Sequence, residues 1–276
     1  LSKMLSGKIN DKSLSERVNE KIWQPLSQIK YIFKHNMMRD AAYNMQLKNK
    51  LRELYLIASY ALEKIHKENK EKYADIAYHF EKGENTDKAR FYYKEAGMGA
   101  KSEFKNHDAE MYLESALKFS SDKNEITELK IALSEVFYQM GEWQKSRSIY
   151  EELINSINEF DNKNLKGEIF IGYSELLFEK GEIEESKKSI EKANEIFVEL
   201  NDEKGIARVM MTKGQIMWRA GDLSESENIY RDALTKVTKL NDGQLRAEIL
   251  LTLGNIYKDR CVFDKAMELY EESKIL

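Results

Sequence analysis

The 276-residue chain is poor in the residues that usually punctuate or cross-link a fold: it has one cysteine, one proline and four histidines. A lone Cys261 excludes a disulfide framework within the chain and points to a reducing, cytoplasmic setting. A lone Pro25 leaves nearly the whole sequence free of the strongest helix breaker. No apolar run approaches eighteen residues and no signal-peptide pattern is present, so a soluble chain without a membrane partner is expected. The histidines (His35, His66, His79, His107) never stand three or four apart and are far from Cys261, so no metal site is expected. No Ser-His-Asp or Cys-His arrangement follows from spacing either, and the chain reads as a non-enzyme without a cofactor. The nearest approach to a phosphate loop, "EAGMGAKSE", lacks the glycines that such a loop would need at Glu95 and Ala100, or at Ser102. Its Gly97 and Gly99 read instead as places where helices pack closely.

The net charge of −4 hides an asymmetry. Residues 1–110 hold 21 Lys and Arg against 16 Asp and Glu, while the rest of the chain holds 23 against 32. Phosphate-backbone binding rests on clustered Lys and Arg, so the acidic part argues against a nucleic-acid partner and for a basic one. A solvated helix exterior with no partner would carry similar charge.

The acidic part is also where the chain repeats itself. Gly141, Gly181 and Gly221 stand forty residues apart, and Cys261 takes the next slot. Small residues recur seven before this anchor (Ser134, Ser174, Gly214, Gly254) and five after it (Ser146, Ser186, Ser226, Ala266). Bulky ones recur four before (Phe137, Leu177, Met217, Tyr257) and nine after (Tyr150, Ile190, Tyr230, Tyr270). Apolar residues at helical intervals on both sides of a glycine describe two antiparallel helices joined by a tight turn. Small residues then mark where the helices cross, and large ones fill the space beside the crossing. Helices are predicted near 124–140, 143–159, 163–180, 183–200, 203–220, 223–240, 243–260 and 263–275. This small-large pattern resembles the tetratricopeptide repeat, in a variety with longer helices than the usual unit of about 34 residues. The resemblance implies an all-α fold, a right-handed superhelix of stacked antiparallel helix pairs, that binds protein partners. The proline that often closes such units is absent, and Cys261 replaces a turn glycine.

The organisation expected is three-part: 1–68, a winged-helix-like linker; 69–123, two imperfect helical repeats; and 124–276, four regular repeats. "LSERVNEKIWQPLSQI" reads as a helix ended or kinked at Pro25, "KYIF" as a short strand, and "HNMMRDAAYNMQLKNKLRELYLIASYALEKI" as a long amphipathic helix. "KYADIAYHFEKGENTDKARFYYKEAG" reads as a helical hairpin turning at Gly83–Thr86, and "NHDAEMYLESALKF" as a further helix. A leucine start and an apolar end at Ile275 and Leu276 suggest a piece of something longer. "YIFKHNMMRDAAYNMQLKNKLRELYLIA" followed by "YADIAYHFEKGENTDKARFYYKEAG" resembles the junction in STAND-class signal-transduction ATPases, which are often fused to a class III adenylate/guanylate cyclase. That resemblance implies the sensor and regulatory arm of such a protein, with its own upstream ATPase or cyclase domains as possible partners. It also implies a nucleotide-sensing role for His35 in the parent protein; capping or packing at the start of the Asn36–Leu47 helix is the alternative.

In tetratricopeptide arrays the first helix of each unit lines the groove. Four residues after its small residue stand Tyr138, Phe178, Trp218 and Lys258; three before it stand Ile131, Ile171, Met211 and Leu251. An offset of seven puts both columns on one stripe of each helix. Glu135, Glu175, Gln215 and Asn255, one residue after the small position, add a polar edge. An aromatic column rimmed by acid suits an apolar peptide segment carrying Lys or Arg. The same aromatics could equally pack between neighbouring first helices, and the sequence leaves both readings and the oligomeric state open.

Overall fold

The computed structural model describes residues 23–27, 30–33, 48–159 and 161–276. The chain divides into two units, 1–120 and 121–276. The described part is an all-α array of twelve helices in antiparallel pairs, preceded by one small hairpin. In that hairpin β1 (Trp23–Ser27) pairs antiparallel with β2 (Lys30–Phe33), Trp23 opposite Phe33 and Pro25 opposite Tyr31. "KYIF" is thus a strand, whereas Trp23–Ser27, read from the sequence as the end of a helix, is its partner. Pro25 lacks an N–H donor, and a two-stranded ribbon tolerates that because half of its backbone groups have no ladder partner anyway. Residues 14–22, and His35 with the Asn36–Leu47 segment, lie outside the described residues.

The first unit then runs α1 (Lys48–His66), α2 (Tyr73–Lys82), α3 (Thr86–Ser102) and α4 (Asn106–Phe119). Its core is aromatic: Phe80 stacks on Tyr92 at 5.9 Å and meets the edge of Tyr60 at 5.2 Å. The "EAGMGAKSE" segment lies largely within α3 rather than in a loop. A methyl group on Gly97 would come within 2.8 Å of Leu113 on α4, so this glycine permits close helix packing, whereas Gly99 faces open space.

The second unit holds four pairs: α5 (Lys123–Gln139) with α6 (Trp143–Asn155), and α7 (Lys163–Glu179) with α8 (Ile183–Glu199). They continue as α9 (Glu203–Arg219) with α10 (Leu223–Leu240), and α11 (Gly243–Asp259) with α12 (Phe263–Ile275). Only α6 is clearly shorter than the spacing predicts; its last turn gives way to a 3-10 turn at Ile157–Glu159.

Within each pair the small residues meet. The Ser174 hydroxyl donates to the Ser186 carbonyl at 2.9 Å, and the Ser186 hydroxyl returns the bond to the Ser174 carbonyl at 2.8 Å. In the next pair Ser226 donates to the Gly214 carbonyl at 2.7 Å. Such bonds need backbones close enough for a side chain of one heavy atom beyond Cβ to span them, which bars anything larger. The aromatic ring nine residues past the anchor closes over the crossing. A methyl group on Gly214 would sit 2.6 Å from the ring of Tyr230, and one on Gly254 2.4 Å from that of Tyr270.

Two further recurrences set the chain direction. Gly141, Gly181 and Gly221 have φ of 75°, 79° and 89°, and Cys261 adopts the same left-handed conformation at 60°. After each, the next residue's N–H reaches back to the carbonyl of the bulky residue before the turn, as Glu142 does to Phe137 at 2.8 Å and Val262 to Tyr257 at 2.9 Å. This is the C-terminal capping geometry that glycine favours. The connections between pairs use a different device: Asp122, Asn162, Asp202 and Asp242, again forty apart, each accept N–H bonds from the first turn of the following helix. Asn201 and Asn241 precede two of them in the left-handed region, where a short polar side chain is tolerated. Proline is therefore not needed to end these units.

Cys261 is a β-carbon-bearing residue in a glycine slot, which costs about 1–2 kcal/mol. Cys261→Gly is expected to stabilise the chain by about 1 kcal/mol, less than the full penalty because glycine also gains freedom in the unfolded state. Asp202→Ala is expected to destabilise by about 1 kcal/mol through the lost cap. Urea unfolding of the two variants against the parent checks both signs.

Candidate functional site

The four first helices α5, α7, α9 and α11 carry equivalent residues at intervals of forty, so a side chain on one helix meets its counterpart's neighbours on the next. Arg208 pairs with Glu168, and Arg219 with Glu179, both across the α7–α9 seam. Thr212 on α9 donates to the Glu175 carboxylate on α7 at 3.1 Å. Trp218 on α9 donates its indole N–H to Asp259 on α11 at 2.8 Å, which fixes the ring plane. Between α7, α9 and α11 these seams leave a cavity of about 290 Å³. Glu175, Arg208, Met211, Gln215, Trp218 and Glu248 supply most of its chemistry.

Of the twelve groove residues expected from the sequence, Ile171, Glu175, Met211, Gln215 and Trp218 line this one cavity. Ile171 and Met211 are buried at its base, and Trp218 also packs partly against the core around Tyr230. Ile131 is enclosed beside Tyr150, with Tyr138 half-buried against the same cluster. Phe178 is half-buried beneath the Arg219 guanidinium, 5.4 Å from the ring centre. Glu135, on α5, acts on Glu175 through its charge. At the far end of the stripe Leu251 is 48% exposed, Lys258 is exposed, and Asn255 accepts a bond from the Tyr270 hydroxyl at 2.8 Å. The aromatic column therefore packs between helices and borders open space at once.

The sequence reading passed over Arg208 and Glu248. They belong to a column, Glu128, Glu168, Arg208 and Glu248, that lies seven residues before the polar edge already recognised. The same offset of seven that linked the other two columns would have found it.

The cavity is electrostatically uneven. Burial pushes the Glu175 carboxyl up to about 7; the Thr212 bond and Arg208 oppose the shift, and Glu135 and Glu248 reinforce it. Glu168 and Glu248 are also raised by burial, with Arg208 opposing. Glu175 is half-buried and Glu248 is exposed at the rim, with Arg208, already paired to Glu168, as the cation acting on both. Among the described residues no hydrogen-bond donor reaches the Glu248 side chain. The site offers acceptors and an apolar base, so it can receive cations and hydrogen-bond donors. No His or Cys lines it, and the described residues contain no group of three or more His, Cys, Asp or Glu able to hold a metal. No described helix is long and apolar enough to cross a membrane.

No protein-family model matches the chain, and no curated protein matches it in sequence. Solved structures do share its fold. A Rap protein complexed with competence and sporulation factor superposes with a TM-score of 0.63 at 18% identity, covering 86% of this chain and 68% of that one. The Rap conjugation gene regulator of plasmid pLS20, in complex with the Phr* peptide, gives 0.62 at 12% identity over 82% and 73% of the two chains. A STAND protein with a tetratricopeptide-repeat sensor, from Pyrococcus horikoshii, gives 0.58 at 17% identity; 98% of this chain is covered but only 40% of that one. The fold class is thus that of tetratricopeptide-like repeat domains.

Glu175 binds its proton more tightly in the folded state than an exposed glutamate does, so its contribution to stability is fully present below about pH 4.5 and is lost as pH rises through about 7. Glu175→Gln is expected to raise stability at pH 8 by about 2 kcal/mol relative to the parent, with the gain falling steadily below pH 7 and vanishing only near about pH 4. Melting curves of both proteins from pH 8 to pH 4 measure it; a constant difference would show that Glu175 is not held near neutrality.

Proposed function

We propose that this chain is a non-catalytic protein-interaction scaffold whose first-helix face holds an extended peptide or partner segment of basic and apolar character. The observation that carries the reading is the cavity on that face, where five residues of the predicted stripe come together with acid above an apolar base. Both Rap neighbours are described as complexes, one with competence and sporulation factor and one with the Phr* peptide, and the second supports a peptide-sized occupant here. Residues 124–276 form the binding array in this reading, and residues 1–68 and 69–123 connect it to the rest of a cytoplasmic protein.

We further read the chain as the sensor arm of a multidomain signal-transduction ATPase. The STAND neighbour supports this through its described tetratricopeptide sensor and through near-complete coverage of this chain. A link to a cyclase rests on the sequence resemblance alone. In the second reading, favoured by the same neighbour, the arm packs on its own ATPase module and is released by the signal.

Selection of a displayed random heptapeptide library on the full chain tests the scaffold reading, with Phe178→Ala plus Trp218→Ala as the diagnostic variant. Both rings are only half-buried, so each truncation is expected to cost about 1–2 kcal/mol, below the roughly 3–5 kcal/mol of a fully enclosed aromatic. Binding of the selected peptides should fall at least tenfold while the variant still melts cooperatively. Failure to select any peptide, or equal binding by parent and variant, would sink the reading.

A further inference from the structure

We propose that the cavity between α7, α9 and α11 is a pocket for one cationic side chain, Lys or Arg, of the bound segment, seated between the Glu175 and Glu248 carboxylates with its stem on Met211 and Trp218. This rests on the groove reading and adds which residue type is taken and where. The argument begins with shape. A volume of about 290 Å³ is larger than one amino-acid side chain needs for itself and smaller than a folded element, so one long side chain with displaced water fits it. Its walls differ in kind: Met211 and Trp218 are apolar, and the Trp218 ring is held in place by the bond to Asp259. An alkyl stem of Lys or Arg lies well on such a surface while its charged head extends beyond it. The indole face adds a cation–aromatic attraction.

Charge complementarity sets the sign of the occupant. Glu175 on α7 and Glu248 on α11 both line the cavity, the first half-buried and the second exposed. The resident guanidinium of Arg208 is committed to Glu168, and Glu248 receives no hydrogen bond from any described residue. An anionic occupant would meet two further carboxylates, and a purely apolar one would shut water away from the half-buried Glu175 without supplying a partner, while Glu248 stays exposed at the rim. A cation supplies the missing donors to each.

The occupant also exchanges with a proton. Glu175 faces Glu135 and Tyr138 on α5, Tyr150 on α6, Arg208 on α9, Tyr230 on α10 and Glu248 on α11. Of these only Arg208 is positive, and near neutrality the Glu175 carboxyl is half protonated. When the cationic head arrives, the carboxylic proton leaves to solvent and the carboxylate pairs with the head, so net charge in the pocket is conserved. Affinity for a cationic peptide must then rise with pH. With a free-state value near 7, it increases about tenfold between pH 6 and pH 8.

The test uses the full chain and heptapeptides selected from the displayed library. Occupation of the site is read by the NMR shift of the Trp218 indole N–H, assigned with Trp218→Phe. Peptides that move this signal should carry Lys or Arg. Replacing that residue by citrulline or norleucine should weaken binding about tenfold or more, and Glu175→Gln with Glu248→Gln should weaken the unmodified peptide similarly. The two changes together should cost little more than either alone, and the double variant should lose the pH dependence. Peptides that move the signal without a cation, or whose cation matters equally in parent and double variant, overturn the pocket while the groove reading stands. If no selected peptide moves the Trp218 signal, both fall.

Discussion

Close contact between two backbones, repeated every forty residues, is the constraint on which the second unit depends. Where Ser174 and Ser186 exchange hydroxyl-to-carbonyl bonds, no side chain of larger size could stand. That proximity lets Tyr150, Ile190 and Tyr230 lie across the crossing and become almost fully buried. It also fixes the angle between the helices of a pair, since the crossing point leaves little freedom to slide. With every pair alike, the first helices α5, α7, α9 and α11 present the same stripe at the same height. The seams between them, and the cavity those seams leave, are consequences of that alignment rather than separately encoded features.

Much of this was legible because a fixed period exposes its own exceptions. Helix limits in the second unit fall within a residue or so of those read from the spacing, except at α6. There the chain leaves the helix after Asn155, and neighbouring units offer no counterpart to the Ile157–Glu159 turn. The end caps are equally periodic, at Asp122, Asn162, Asp202 and Asp242, but a capping Asp or Asn is read from the backbone it bonds rather than from an apolar period. β1 escaped for a different reason: Trp23–Ser27 continues an apparent helical pattern, and its strand state is decided by pairing with β2, a non-local contact that no window around Pro25 contains.

The candidate site was half legible. Columns of equivalent residues can be read from an alignment of the repeats, and they place Met211 and Trp218 on one stripe with Glu175 on its polar edge. What an alignment cannot rank is which seams close. Arg208 interrupts a column of glutamates and draws Glu168 across the α7–α9 seam, while Trp218 does the same for α9–α11 through Asp259. Those two ties hold the walls of the cavity in place. A site whose walls are already tied loses less conformational entropy when filled than one that must be ordered by its ligand.

The same ties explain why the charge imbalance persists. A second cation at position 215, where Gln215 stands in the Glu135–Glu175 column, would have neutralised the cavity and satisfied Glu248 or Glu175 from within. Glutamine there leaves a neutral amide beside two acids, and the array gives up some stability above neutral pH in consequence. Local violations of good electrostatic practice in an otherwise self-consistent repeat are where function is most reasonably sought. A scaffold selected for stability alone would bring neighbouring first helices together through matched pairs in every unit. This one pairs Glu168 with Arg208 and Glu179 with Arg219 across α7–α9, and across α9–α11 it pairs Lys204 with the capping Asp242 at 2.7 Å, with no ion pair at Glu248 among the described residues. In the proposed reading Glu175 and the exposed Glu248 border an apolar base on the stripe where a partner's side chain would enter, and a cation from outside would complete the pairing that the array leaves unfinished.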